Sequence, residues 1–152
     1  MSKPGVYPPI IDDPYADDVT QPFWDATQQG KLSCSKCRKC GTMLLPPQPR
    51  CYECQNDSFD WVELPGTGTV YSFTVVRHPL RPDLAEAVPY VSAVVELDGT
   101  QGAGARLLTN IVEVDVEKVR IGDKVKVRFD KISNALTVPR AVPAKPSPAL
   151  SG

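Results

Sequence analysis

At 152 residues the chain holds one domain, or one domain and a small satellite. Its 17 Lys and Arg against 18 Asp and Glu leave a net charge of −1, with a pI near 5.8, so no overall basic field draws it to nucleic acid. No apolar run approaches the roughly 20 residues of a membrane span, and no charged start leads into an apolar core, so neither a membrane helix nor a secretory signal is expected.

The 16 prolines gather at the two ends and at 46–49. Residues 1–19 carry Pro4, Pro8, Pro9 and Pro14 with an acidic cluster (Asp12, Asp13, Asp17, Asp18) and read as an extended arm, either solvated or laid along a partner. A short helix is predicted over 22–29, with proline in its first turn and Gly30 as its stop. Phe23 and Trp24 are adjacent on it, more apolar surface than so short a helix leaves in water. They either cap the domain's own core or anchor a partner.

A strand over 32–36 leads into Cys37-Arg38-Lys39-Cys40-Gly41, and a second pair follows at Cys51-Tyr52-Glu53-Cys54. Two Cys-x-x-Cys pairs at this separation are the pattern of a four-thiolate Zn2+ site. Two intervening residues let one tight turn aim both sulfurs at one ion, and the second pair closes the tetrahedron. Gly41 suits a turn that needs positive φ. Cys34 offers a competing frame with Cys37. The glycine belongs with Cys37 and Cys40, which leaves Cys34 as a small apolar residue on the entering strand. Four thiolates saturate a tetrahedral ion, so the expected zinc is structural; a redox pair or an iron centre is the other reading. Cysteine usage of this kind points to a reducing compartment, and a cytoplasmic location is expected.

Residues 42–45 give a second strand and Pro46-Pro47-Gln48-Pro49 an extended connection, which completes a zinc ribbon. A module this small buries too little apolar area alone, so the metal supplies much of its folding free energy. Residues 59–64 alternate apolar and polar as a half-buried strand does, and Pro65-Gly66-Thr67-Gly68 marks a turn. Strands are then predicted at 70–76, 90–97, 106–113, 124–129 and 136–140. A long loop with Pro79, Pro82 and Pro89 separates the first two, and a turn or single helical turn spans 116–122. The fold class expected is mainly β: a short N-terminal helix, a zinc ribbon, then a five-stranded OB-fold barrel. The divisions are an arm at 1–19, helix and ribbon at 20–64, the OB domain at 65–142 and a disordered tail at 143–152.

No catalytic constellation emerges. His78 is the single histidine and sits in the proline-containing loop, where a surface role suffices. Gly102-Ala103-Gly104 opens no helix and reads as a turn. Glu63, Asp83, Glu86 and Glu96 show no spacing that forces a pair onto one face.

The order of these motifs resembles the DUF35 family. The residues that carry the resemblance are Pro22-Phe23-Trp24, the ribbon with its Pro46-Pro47, Trp61-Val62-Glu63-Leu64, Gly68-Thr69-Val70-Tyr71, Pro89-Tyr90 and Ile121-Gly122-Asp123-Lys124-Val125, and the likeness spans 20–142. Members of that family pair a rubredoxin-like zinc ribbon with an OB-fold. The resemblance implies an accessory subunit of a thiolase-superfamily acyl-CoA enzyme, a thiolase or a retro-aldolase of steroid side chains. It implies a thiolase-like catalytic partner, a heterotetramer with two copies of each chain, and a CoA thioester bound at the complex.

Lys36, Arg38 and Lys39 are then candidates to meet the CoA phosphates, with Lys31 and Arg50 nearby; the other reading is a solvated surface that offsets the charge of the thiolates. Arg77 and Arg81 form a second basic candidate. Phe23 and Trp24 are the candidate partner anchors. A different class, a single-stranded nucleic-acid binder, would use Tyr71, Phe73, Tyr90 and Phe129 as stacking platforms. Balanced charge gives it little backbone attraction.

Overall fold

A computed structural model describes residues 16–101 and 104–144. Most of the expected arm, Gly102 and Ala103, and the tail from residue 145 lie outside the described residues.

The first helix, α1 (Gln21–Gln28), begins one residue earlier than the sequence suggests and carries proline in its first turn. Its entry is set by Asp17, whose Oδ1 accepts from the backbone N–H groups of Val19 and Thr20 and from the Thr20 hydroxyl. Its exit is a left-handed turn at Gly30, where Gly30 N–H donates to the Thr27 carbonyl and Lys31 N–H to that of Ala26. Phe23 and Thr27, four apart, form the buried stripe.

Three strands make the ribbon sheet: β1 (Leu32–Cys37), β2 (Met43–Leu44) and β3 (Phe59–Leu64), ordered β2-β1-β3 and antiparallel throughout. The central strand β1 is buried on both faces except at Lys36. Register pairs Leu32 with Leu64 and Cys34 with Val62 on one face, and Ser35 with Trp61 and Cys37 with Phe59 on the other.

Five further strands close into a barrel: β4 (Thr67–Val76), β5 (Tyr90–Leu97), β6 (Arg106–Ile111), β7 (Lys124–Lys131) and β8 (Thr137–Pro143), in the order β4-β5-β6-β8-β7. All ladders are antiparallel except the closing contact, where Ile111 of β6 meets Ala141 of β8 in parallel. That single parallel contact shuts the cylinder and completes the OB-fold. A bulge between Val70 and Ser72 leaves Tyr71 as the extra residue on β4. Gly68 lies so close to β5 that an added Cβ would stand 2.5 Å from the Glu96 carbonyl oxygen. The loop between β4 and β5 holds a single 3-10 turn (Pro82–Leu84), pinned by buried Leu84 and by an ion pair from Arg77 to Glu117. The predicted helical turn after β6 is a 3-10 turn at Val116–Lys118.

Alternation places Val91, Ala93, Val95 and Leu97 of β5 inward, with Leu107 and Ile111, Val125 and Val127, and Ala141 from its neighbours. The same apolar cluster takes in Phe23, Leu32, Cys34, Met43 and Leu64. Helix, ribbon and barrel therefore share one core. At about 1.5–3 kcal/mol for each fully buried aliphatic or aromatic side chain, this shared burial is what holds the ribbon beside the barrel. Among the described residues no helix is long and apolar enough to cross a membrane.

Candidate metal centre

The ribbon's two turns are built alike. In the first, Cys37 N–H donates to the Thr42 carbonyl and Gly41 N–H to that of Cys37; in the second, Cys51 N–H donates to Asn56 and Gln55 N–H to Cys51. Each turn curls its two cysteine side chains toward the other. The Sγ atoms of Cys37, Cys40, Cys51 and Cys54 all lie within 4.8 Å of one another, with Cys37 to Cys54 and Cys40 to Cys51 at 3.6 Å. Four sulfurs on a tetrahedral ion, each about 2.3 Å from it, would stand about 3.8 Å apart, so the donor set and spacing fit a metal of zinc's size. Among the described residues no other group of three or more His, Cys, Asp or Glu converges in this way.

Protonation favours the same conclusion. Burial pulls the Cys37 thiol up, but hydrogen bonds from the backbone N–H groups of Cys40 and Lys39 and from the Cys54 and Cys40 thiols together bring it down to about 6. Cys40 is lowered by the Thr42 hydroxyl and backbone N–H. Cys54 accepts from the Asn56 N–H, yet burial and the three neighbouring sulfurs drive it up to about 12. Four thiolates so close cannot all ionise without a cation among them.

Outer contacts brace the cluster. Thr42 Oγ1 is 3.1 Å from Cys40 Sγ. Asn56 Nδ2 lies 3.6 Å from Cys37 Sγ and donates to the Ser58 carbonyl at 2.8 Å. Sequence reasoning passed over Thr42 and Asn56, although both stand two residues after the last cysteine of their pair. Cys34, the competitor, is fully buried on β1 and belongs to the shared core instead. Its burial pushes the thiol up to about 11, with Lys36 offsetting only part of this.

The remaining candidate residues scatter. Arg38 is exposed, but its Nε donates to Asp60 at 2.7 Å and its NH1 to Ser58 at 3.3 Å, so its charge already has a partner. Lys36 is half-buried and Lys39 exposed. Lys31 faces Glu63 at 4.0 Å, and Arg50 donates to the Gln55 carbonyl. Arg81 pairs with Asp83, and Arg77 with Glu117, so the loop basics are engaged locally. His78 is exposed, as are Glu63, Asp83, Glu86 and Glu96, and three of these carboxylates face a basic side chain: Glu63 faces Lys31, Asp83 pairs with Arg81 and Glu96 lies 3.8 Å from Arg106.

Of the two aromatics on α1, Phe23 is 6 % exposed and inside the core, so it packs within the molecule and has almost no surface for a partner. Trp24 meets it edge-on at 5.1 Å and keeps part of its ring at the surface. Among the barrel aromatics, Tyr71 is exposed but Arg106 covers its ring at 3.8 Å, while Phe73 and Phe129 pack on the core. These are poor platforms for stacked bases.

Residues 24–60 match the family described as "ChsH2, rubredoxin-like zinc ribbon domain", and residues 61–130 the one described as "ChsH2, C-terminal OB-fold domain". A "Probable enoyl-CoA hydratase alpha subunit" from Thermomonospora curvata is 40 % identical over 125 residues, 82 % of this chain. The chain spans only 37 % of that relative's length. A "DUF35 domain-containing scaffold protein" from Methanothermobacter thermautotrophicus is 33 % identical over 69 % of this chain and 76 % of its own. A solved structure titled "Ltp2-ChsH2(DUF35) aldolase" superposes with a TM-score of 0.74 at 35 % identity, covering 86 % of this chain and 98 % of that one.

Proposed function

The chain belongs to the DUF35 family, in the ChsH2 form that joins a rubredoxin-like zinc ribbon to an OB-fold, and from that premise we propose that it is a non-catalytic accessory subunit of a thiolase-superfamily acyl-CoA enzyme. The observation that carries this reading is the convergence of the four cysteine sulfurs. Among the described residues they are the group of His, Cys, Asp or Glu side chains that converges closely enough to hold a metal, and a metal held by all four has no open position for water or substrate. The chemistry therefore belongs to a partner, and this chain supplies shape.

In this reading Cys37, Cys40, Cys51 and Cys54 hold a structural Zn2+. Bound zinc adds folding free energy, about 10–16 kcal/mol of apparent binding in small zinc modules. The Lys39 and Asn56 amides, with Thr42 and Asn56 side chains, orient the sulfurs for it. The partner is a thiolase-like catalytic subunit in a heterotetramer, located in the cytoplasm. The names of relatives support the existence of a partner: one is a "Probable enoyl-CoA hydratase alpha subunit" and one solved structure is titled "Ltp2-ChsH2(DUF35) aldolase". The substrate is a CoA thioester, its phosphates met by Lys36 and Lys39 with Arg38 beside them. Trp24 contributes the exposed part of its ring to the partner.

Co-expression with a thiolase-like candidate tests the proposal. The expected result is a co-purifying complex that turns over an acyl-CoA which neither chain consumes alone, with one zinc for each copy of this chain. Turnover by the lone chain, or a thiolase-like protein that never binds it, would overturn the reading.

A further inference from the structure

Phe59 and Trp61 stand two apart on β3, so both rings emerge on one face of the ribbon sheet, with Ser35 of β1 beside them. A groove of about 300 Å³ lies there. Two carboxylates from separate segments also line it: Asp18 from the turn before α1 and Asp57 from the stretch after Cys54. Both are exposed, and neither has a hydrogen bond or an ion pair. The charges around them are already engaged. Asp17 caps the turn before α1, Asp60 holds Arg38, and Arg50 donates to the Gln55 carbonyl. Among the described residues no Lys, Arg or His lines the groove, and the Ser35 hydroxyl is spent on the Leu44 carbonyl at 3.1 Å.

Two carboxylates without a countercharge beside two aromatic rings select a cation. An anion would meet two like charges. An apolar segment would strip water from both carboxylates and give nothing back. A guanidinium answers both features: its N–H fork matches carboxylate oxygens, and its flat, weakly hydrated face lies on an aromatic ring. The volume is at the lower limit of small-molecule pockets, which enclose most of their ligand. A groove of this size suits one side chain, with the backbone that bears it left outside.

We propose that this groove receives an arginine side chain presented by the surface of a partner protein. Asp18 and Asp57 accept from the guanidinium, and Trp61 stacks on it. The site is distinct from the CoA contact proposed at Lys36 and Lys39. It carries the opposite charge, and alternation along β1 sends Lys36 to the face opposite Ser35. It asks only for an exposed arginine on the partner, so it does not rest on the acyl-CoA reading.

The test follows the full, zinc-loaded, nitrogen-15-labelled chain by NMR, with N-acetyl-arginine amide as the probe. The Trp61 indole N–H and the amides of Asp18, Asp57 and Phe59 should shift together and saturate at roughly millimolar probe, as expected for so small a ligand. Binding should weaken several-fold between low salt and about 0.5 M. N-acetyl-citrulline amide, of the same shape but uncharged, should leave these resonances in place. Asp18→Asn combined with Asp57→Asn should weaken the arginine probe by about tenfold. Because neither carboxylate has a partner in the fold, the double variant should keep its metal and its melting temperature. Should it lose metal, the citrulline comparison on the unaltered chain decides. The proposal is overturned by the absence of a saturable shift, by an equal response to citrulline, or by undiminished binding to a folded double variant.

Discussion

Gly41 and Gln55 occupy equivalent places in the two metal-binding turns, with φ of 78° and 61°, yet only one is a glycine. Both N–H groups reach back to the first cysteine of their pair at 2.9 Å, so the left-handed backbone is required at each. Gln55 bears a steric cost that Gly41 does not. Gln55→Gly should therefore stabilise the metal-loaded protein by about 0.5–1 kcal/mol once the looser unfolded chain is allowed for. Gly41→Ala should destabilise it by at least as much. Denaturant melts of the pair decide; a less stable Gln55→Gly would show that the glutamine side chain has a role of its own.

The choice between overlapping cysteine pairs has a direct check. Serine at Cys37, Cys40, Cys51 or Cys54 should each abolish stoichiometric metal and unfold the ribbon. Cys34→Ala should keep a full complement of metal and lose only about 1–2 kcal/mol for the small cavity left in the core. Metal analysis of the five variants reads this, and a metal-free Cys34→Ala would move the ligand set one pair upstream.

Cys34 also sets an alkaline limit. Burial penalises the thiolate and pushes the folded thiol up to about 11 from its ordinary 9.0, with Lys36 offsetting only part of this. A folded value above the unfolded one means that the contribution to stability is complete below pH 9 and disappears as the pH climbs through 11. Melts from pH 8 to 11 should show falling stability that Cys34→Ala lacks. At pH 8 the native thiol should resist iodoacetamide that labels it once denatured; rapid native labelling would contradict its burial.

Gly68 is a contact and not a turn. An added methyl group would meet the Glu96 carbonyl oxygen at 2.5 Å and Val95 Cγ1 at 2.7 Å, so β4 and β5 would have to part. Gly68→Ala should cost about 1–3 kcal/mol. Urea unfolding measures it, and a neutral result would mean that the strands separate more easily than their packing suggests.

The proposed CoA contact is best probed at Lys39, since reversing Arg38 would also break its pair with Asp60. An exposed pair of that kind contributes about 1 kcal/mol at most, enough to blur the reading. Lys39→Glu should raise the KM for acyl-CoA in the assembled complex and leave kcat unchanged. An unmoved KM would remove the knuckle from the CoA site.

Local patterns were legible without coordinates. The Cys-x-x-Cys spacing, the apolar and polar alternation of β3 and β7, and the proline and glycine that bracket α1 are short-range constraints written into neighbouring residues. Their elements appear within a few residues of where the pattern places them. What the pattern does not carry is the pairing of distant residues. Only the closed structure sets Cys37 against Cys54 and Cys40 against Cys51, because the turn geometry of one pair is blind to the rotation of the other. Only it sends Phe23 inward while part of Trp24 stays at the surface, a choice made by how α1 sits on the ribbon and barrel. The β6 to β8 closure and the groove beside Trp61 have the same origin. Such contacts arise when strands far apart in the chain bury a common apolar face, and that burial is a property of the assembled layers.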